Sequence, residues 1–131
     1  MRTILFVLLL AGLVSCASQS KRQVTKDTKE KRELPIVHYA KGAGGGMDYY
    51  LNLRTQNFFD YYEKNEGSAG HTLYAGTYSI TGSTLALAFH NNESPEGLTN
   101  NGTIHVDQKR IVLRAKNAAQ NRTMTITTPG Q

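Results

Sequence analysis

The chain has 131 residues, a net charge of +5, one Cys and no Trp. That length suits a single folded domain, and one Cys excludes an internal disulfide, so the fold must rest on its core. Most of the positive excess lies before Leu34 rather than in the remainder, which argues against nucleic acid as a partner.

Residues 1–15 open with Met1-Arg2-Thr3 and continue as an apolar run from Ile4 to Val14. A membrane-spanning helix needs about 20 apolar residues, and this run is shorter. A charged start, a short apolar stretch and small residues after it describe a secretory signal peptide. Its end, Leu13-Val14-Ser15-Cys16, resembles the lipobox of bacterial lipoproteins. The resemblance implies cleavage before Cys16, a diacylglyceryl group on its sulfur and acylation of the new amino terminus. Chemistry agrees with it, because a thiolate is a good nucleophile and several acyl chains on one residue anchor a protein stably. The competing reading is an ordinary signal peptide with an incidental Cys.

Residues 16–34 are predicted to be the lipidated Cys and a disordered tether. Val24 is the single sizeable apolar residue between Ala17 and Glu33, which is too little burial to offset the entropy of ordering. Six basic residues stand there against three acidic ones, and basic residues beside a lipid anchor favour anionic headgroups. Cys16 is followed by Ala17, without the acidic residues that serve some bacteria as retention or surface-export signals. By resemblance the address is the outer membrane, facing the periplasm. The sequons beginning at Asn92, Asn101 and Asn121 read as coincidences of an Asn- and Thr-rich bacterial chain.

Residues 35–131 are predicted to be all-β. Residues 36–40 make a short apolar start. Tyr49, Leu51 and Leu53 alternate with Tyr50, Asn52 and Arg54, and Phe59 and Tyr61 with Phe58, Asp60 and Tyr62. Residues 74–80 are rich in Tyr and Thr, and Leu85, Leu87 and Phe89, Ile104 and Val106, Ile111 and Leu113, and Met124 and Ile126 continue the alternation. Each run has the period of a strand with one buried face. Gly82-Ser83 reads as a hairpin turn, residues 107–110 as another short reversal, and residues 91–102 as a longer polar loop. About eight short strands suggest a small antiparallel meander barrel, with a curled β-sandwich as the alternative.

The stretch Gly76-Thr77-Tyr78-Ser79-Ile80-Thr81-Gly82-Ser83-Thr84-Leu85-Ala86-Leu87 resembles the Gly-x-Tyr/Trp-x-Ile-x-Gly-x-x-Leu-x-Leu hairpin of lipocalin-like bacterial lipoprotein domains. Residues 51–62 resemble the hairpin before it, with its Phe-x-x-Tyr strand. The resemblance implies a barrel with a binding role and names no ligand.

Functional residues are read against plainer explanations. His90 and His105 stand on the polar phase of two runs and would share a face if those strands paired. No His-x-His, Cys partner or Glu-x-x-His accompanies them or His38 and His71, so surface histidines and no metal are expected. The run Gly42-Ala43-Gly44-Gly45-Gly46 is neither a P-loop nor a dinucleotide fingerprint; it reads as a flexible loop, or as a lid over a barrel mouth. No cofactor is implied. Asp48-Tyr49-Tyr50 and Asp60-Tyr61-Tyr62 form a repeat, and Tyr suits both cores and binding surfaces. Tyr49, Tyr61, Tyr74 and Tyr78 are the candidate ligand-contacting residues. Asp60, Glu63 and Glu66 are taken as solvated acids near a turn, and no nucleophile motif supports catalysis.

The expected function is a non-enzymatic binding or accessory module of the cell envelope, held to the membrane through Cys16 and taking a small apolar ligand or an envelope protein. The alternative is an inhibitor of a periplasmic or external hydrolase. Ser68-Ala69-Gly70-His71-Thr72-Leu73-Tyr74 resembles, with different spacing, the Ser-Gly-x-x-Tyr loop of lipidated barrels that inhibit lysozyme. The disulfide common in those inhibitors has no counterpart here.

Overall fold

The computed structural model describes residues 28–129. Cys16, the apolar leader and most of the tether lie outside these residues. Eight strands follow in chain order: β1 (Ile36–Gly44), β2 (Met47–Arg54), β3 (Phe58–Asn65), β4 (Thr72–Thr81), β5 (Thr84–Phe89), β6 (Leu98–His105), β7 (Arg110–Ala115) and β8 (Arg122–Thr127). Each pairs antiparallel with the next, and β1 pairs with β8, so the meander closes into a barrel. Closure excludes the sandwich. Among the described residues no helix is long and apolar enough to cross a membrane.

The alternating apolar residues form the interior, except Val106, which lies in the β6–β7 turn and is exposed. Residues 98–102, read from their polarity as loop, belong to β6. Leu51, Leu53, Phe59, Tyr61, Leu85 and Ile111 are fully buried, and Tyr49, Leu87, Leu98, Ile104, Leu113 and Met124 nearly so. The side chains of successive strands meet because their register keeps inward residues opposite one another, as at Leu51 and Tyr61 or Ile104 and Ile111.

Turn chemistry sets that register. Thr81 pairs with Thr84 across Gly82-Ser83, and Gly82 takes a φ of +61°. The β6–β7 reversal spans residues 106–109. The glycine run behaves differently from its predicted loop. Gly42, Ala43 and Gly44 belong to β1, and Gly45 and Gly46, with φ of +61° and +74°, are the two central residues of the β1–β2 hairpin. Positive φ at both positions is the signature of a type I′ turn, which matches strand twist. Gly42 is glycine for another reason: a Cβ there would overlap the Thr123 carbonyl and come within 2.6 Å of the Tyr49 ring. The run is a strand end and a tight turn, and forms no lid.

The described part of the tether also departs from expectation. Residues 28–31 form a helical turn, with the Arg32 N–H donating to the Thr28 carbonyl at 3.0 Å. The Arg54 guanidinium donates to the Leu34 carbonyl at 2.7 Å, and Arg32 donates to the Tyr62 hydroxyl at 2.9 Å. Polar contacts with the barrel replace the apolar burial that the composition lacks.

Gly76 lies in register between Phe59 of β3 and Phe89 of β5. With no side chain between them, the two rings meet edge to face at 5.1 Å. A Cβ at Gly76 would overlap the Ala88 carbonyl oxygen and stand 2.9 Å from Phe59 Cε1. Gly76→Ala is therefore expected to lower stability by about 1–3 kcal/mol, the range for overpacked cores, as measured by urea denaturation. An unchanged midpoint would mean that the rings are not packed this way.

Candidate functional site

The alternation of buried and exposed residues fails on β2 and β3. Leu51 to Arg54 are all buried, and so are Phe58 to Tyr61. The outward residues among them are Asn52, Arg54, Phe58 and Asp60. They are covered because the outer face carries its own polar structure.

Asp60 is its centre. Its side chain has no exposure, where the sequence suggested a solvated acid. Arg54 Nε donates to Asp60 Oδ1 at 2.5 Å, and Asn52 Nδ2 donates to Oδ2 at 2.7 Å. Asn52 and Asp60 stand opposite one another in the β2–β3 register. The short link at residues 55–57, with Gln56 and Asn57 at positive φ, brings Arg54 back over the carboxylate. The Tyr78 hydroxyl donates to the Arg54 carbonyl at 2.9 Å, tying β4 to the same residue. Phe58 is buried nearby, with the His90 ring 6.1 Å away, and His90 Nδ1 lies 3.3 Å from the Thr28 hydroxyl.

A groove of about 300 Å³ opens beside this cluster, lined by Tyr39, Tyr50, Asn52, Tyr62, Lys64 and His71. The Tyr39 and Tyr50 rings are nearly parallel, 14° apart with centroids at 6.5 Å. Tyr50 stands opposite Tyr62, and Tyr62 meets His71 edge to face at 5.2 Å. Arg32 lies over the Tyr62 ring, 5.7 Å from its centroid. Burial raises the Tyr62 hydroxyl above the ordinary tyrosine range and Asp60 adds to the rise, while Arg32 opposes it. At the side of the groove, Asn52 Oδ1 is buried and has no hydrogen-bond partner. A buried acceptor left unsatisfied costs about 1–3 kcal/mol, and a molecule in the groove would relieve it only by displacing a side chain that covers it.

A second depression, of about 440 Å³, lies between Thr28, Lys29 and Arg32 on one side and Leu73, Tyr74, Ala75, His90, Asn91 and Glu93 on the other. Both openings lie outside the packed barrel interior.

The Asp-Tyr-Tyr repeat has a simple resolution. Its first tyrosines, Tyr49 and Tyr61, point into the core; its second, Tyr50 and Tyr62, point outward and line the groove. Of the four candidate tyrosines, Tyr49 and Tyr61 are core residues, and Tyr74 and Tyr78 are half-buried against them. Only Tyr74 borders one of these openings. Sequence reasoning did not single out Tyr39, Tyr50, Asn52 and Tyr62 together, although all four stand on the outward phase of β1, β2 and β3.

Two further acids and the histidines are placed as follows. Glu63 accepts from the Tyr61 hydroxyl at 2.9 Å and faces Arg122 Nε at 3.7 Å, while Glu66 is exposed. Arg122 also lies 5.5 Å from the Tyr49 ring centroid. His90 sits in a 3-10 turn after β5, and His105 ends β6 at the opposite end of the barrel, so the two are not brought together. No group of three or more potential metal-ligating side chains occurs among the described residues. No family model, no curated protein and no solved structure matches the chain.

Two predictions follow the electrostatics. Asp60→Ala leaves the Arg54 guanidinium buried without its counter-charge, so a loss of about 3–5 kcal/mol is expected; chemical denaturation measures it, and a loss below ~1 kcal/mol would contradict the buried pair. Tyr61 is raised above its ordinary value by burial first and by Glu63 second. A raised folded value means the unfolded chain releases its proton first, so stability is full below about pH 10 and falls above it. Tyr61→Phe should flatten that alkaline fall in urea denaturation between pH 8 and about pH 11.5.

Proposed function

We propose that the chain is an exported lipoprotein, held to a membrane of the cell envelope by lipid on Cys16, whose barrel is a binding module that recognises its partner on its outer face. The observation that carries the binding reading is the groove beside β2 and β3. It has aromatic walls and a buried acceptor, Asn52 Oδ1, with nothing bonded to it. The interior is occupied by the side chains of the core, so the outer face is the surface left for recognition. The anchor reading is supported by Leu13-Val14-Ser15-Cys16 after an apolar run, and by the basic residues that follow it. Such residues favour an anionic lipid surface.

Mass spectrometry of the membrane-extracted protein beside a Cys16→Ser variant tests the anchor. A mature chain that starts at Cys16 and carries acyl mass absent from the variant is the expected result. Cleavage elsewhere with a free thiol would remove the membrane from the reading. For the surface, a photo-crosslinking residue at position 41, opposite Tyr50 in register, should capture an envelope component in a manner abolished by Tyr50→Leu. Capture unaffected by that change would place recognition elsewhere on the barrel.

A further inference from the structure

We infer that the groove on the outer face of β1–β3 takes a carbohydrate ring bearing an acidic group. The inference rests on the outer-face reading and specifies its ligand.

Asn52 sets the first requirement. Its side chain is more than nine-tenths buried, with 8% exposure, and its Nδ2 is committed to Asp60 Oδ2. That bond fixes the orientation of the amide, so Oδ1 offers an acceptor and nothing else. The atom is closed off from solvent, so a fitting molecule must displace a neighbouring side chain to bring an O–H or N–H to it.

The walls set the second requirement. Tyr39, Tyr50 and Tyr62 present flat rings with polar tips, arranged across three neighbouring strands. No aliphatic side chain lines the groove. An apolar amino-acid side chain or an acyl chain therefore finds no pocket of its own kind. A peptide strand cannot add to the sheet either, because the closed barrel has no free edge. A pyranose ring suits such walls: its C–H face lies flat on tyrosine, and its rim supplies hydroxyl donors for Asn52. The volume, about 300 Å³, is at the small end for ligand sites and holds a ring with its substituents.

Charge sets the third. Among the six lining residues Lys64 is a cation, His71 offers a ring N–H, and none is acidic. Arg32 adds a guanidinium beside Tyr62. Asp60 is enclosed by Arg54 and Asn52, and Asp48, opposite Lys64 in the β2–β3 register, leaves Lys64 and Arg32 in excess by one positive charge. The open side of the groove is thus suited to an anion on the ring, a carboxylate or a phosphate.

The full chain, extracted from membranes in detergent, is titrated with a galacturonic acid trimer, a neutral galactose trimer, a hexose phosphate and inorganic phosphate. Calorimetry reads binding and stoichiometry, and the change in tyrosine fluorescence lost in Tyr50→Leu reports the groove, where three of the seven tyrosines lie. Saturable binding of the acidic trimer or of the hexose phosphate is expected, and the stronger of the two identifies the anion. Tyr50→Leu should weaken it about tenfold or more. Lys64→Gln, an exposed change that leaves the core untouched, should weaken the acidic ligand while leaving the neutral trimer unaffected. No saturable binding of either acidic sugar at millimolar concentration overturns the inference, as does binding that Tyr50→Leu leaves unchanged while its circular dichroism matches the parent. Inorganic phosphate binding as tightly as the sugars would also overturn it. If the sugars fail while the crosslink at position 41 still captures an envelope protein in a Tyr50-dependent way, the ligand class is wrong and the outer-face reading stands; if both fail, both are withdrawn.

Discussion

The outer face of this barrel depends on how one buried charge is answered. Asp60 lies on an outward strand position that would ordinarily face water, yet it has no exposure. Two groups, Arg54 and Asn52, stand around it, and each then does a second task. Arg54 reaches the Leu34 carbonyl and so fastens the approach to β1, while its own carbonyl accepts from Tyr78 on β4. Asn52 is turned by Asp60 so that its oxygen is left unpaired beside the groove. A buried ion pair of this kind is a weak source of net stability, because desolvation consumes much of its attraction. Its contribution here is positional: it holds a strap, a strand and an acceptor in one arrangement.

A second polar group sits on the inward side of the barrel, built from the same alternation. Glu63 and Arg122 are partly buried and face one another, and Tyr61, fully buried, points its hydroxyl at Glu63. An apolar interior two residues deeper thus meets water through a charged pair and a tyrosine. The tyrosine spans the change in polarity with an apolar ring and a polar tip. The same residue type serves the opposite side of the sheet at Tyr50 and Tyr62, half-buried rings that line the groove, with the Tyr62 hydroxyl accepting from Arg32. The barrel uses one side chain for two interfaces because alternate strand positions face opposite ways.

Strand identity was legible wherever period-2 alternation ran uninterrupted, as in Leu85-Ala86-Leu87-Ala88-Phe89 and Ile111-Val112-Leu113. It was illegible at residues 42–44, because glycine carries no hydrophobic signal, and the reason for Gly42 is the approach of Tyr49 and of a strand more than 80 residues away. The burial of Asp60 was hidden for a related reason. Period-2 reasoning assigns an outward residue to water, and only the pairing of Asn52 with Asp60 across a three-residue link shows that its neutralising groups are neighbours. The groove was half visible. The Asp-Tyr-Tyr repeat marked the right pair of strands, but the tyrosines chosen from it were those that point inward. His90 read as the last residue of an alternating strand; instead β5 ends at Phe89 and the chain turns.

Seven of the eight strand pairings join segments that follow one another along the chain, and the eighth joins Tyr39 to Thr127. A polypeptide that appears from its amino end can build hairpin upon hairpin as it emerges, each by local loop closure. It cannot seal the cylinder until the final strand has arrived. Until that moment the sheet is an open ribbon with two bare margins, one along β1 and one along the newest strand, rich in groups that seek any passing backbone. The geometry therefore makes sealing a terminal event, and until β8 arrives neither margin is covered by the chain itself.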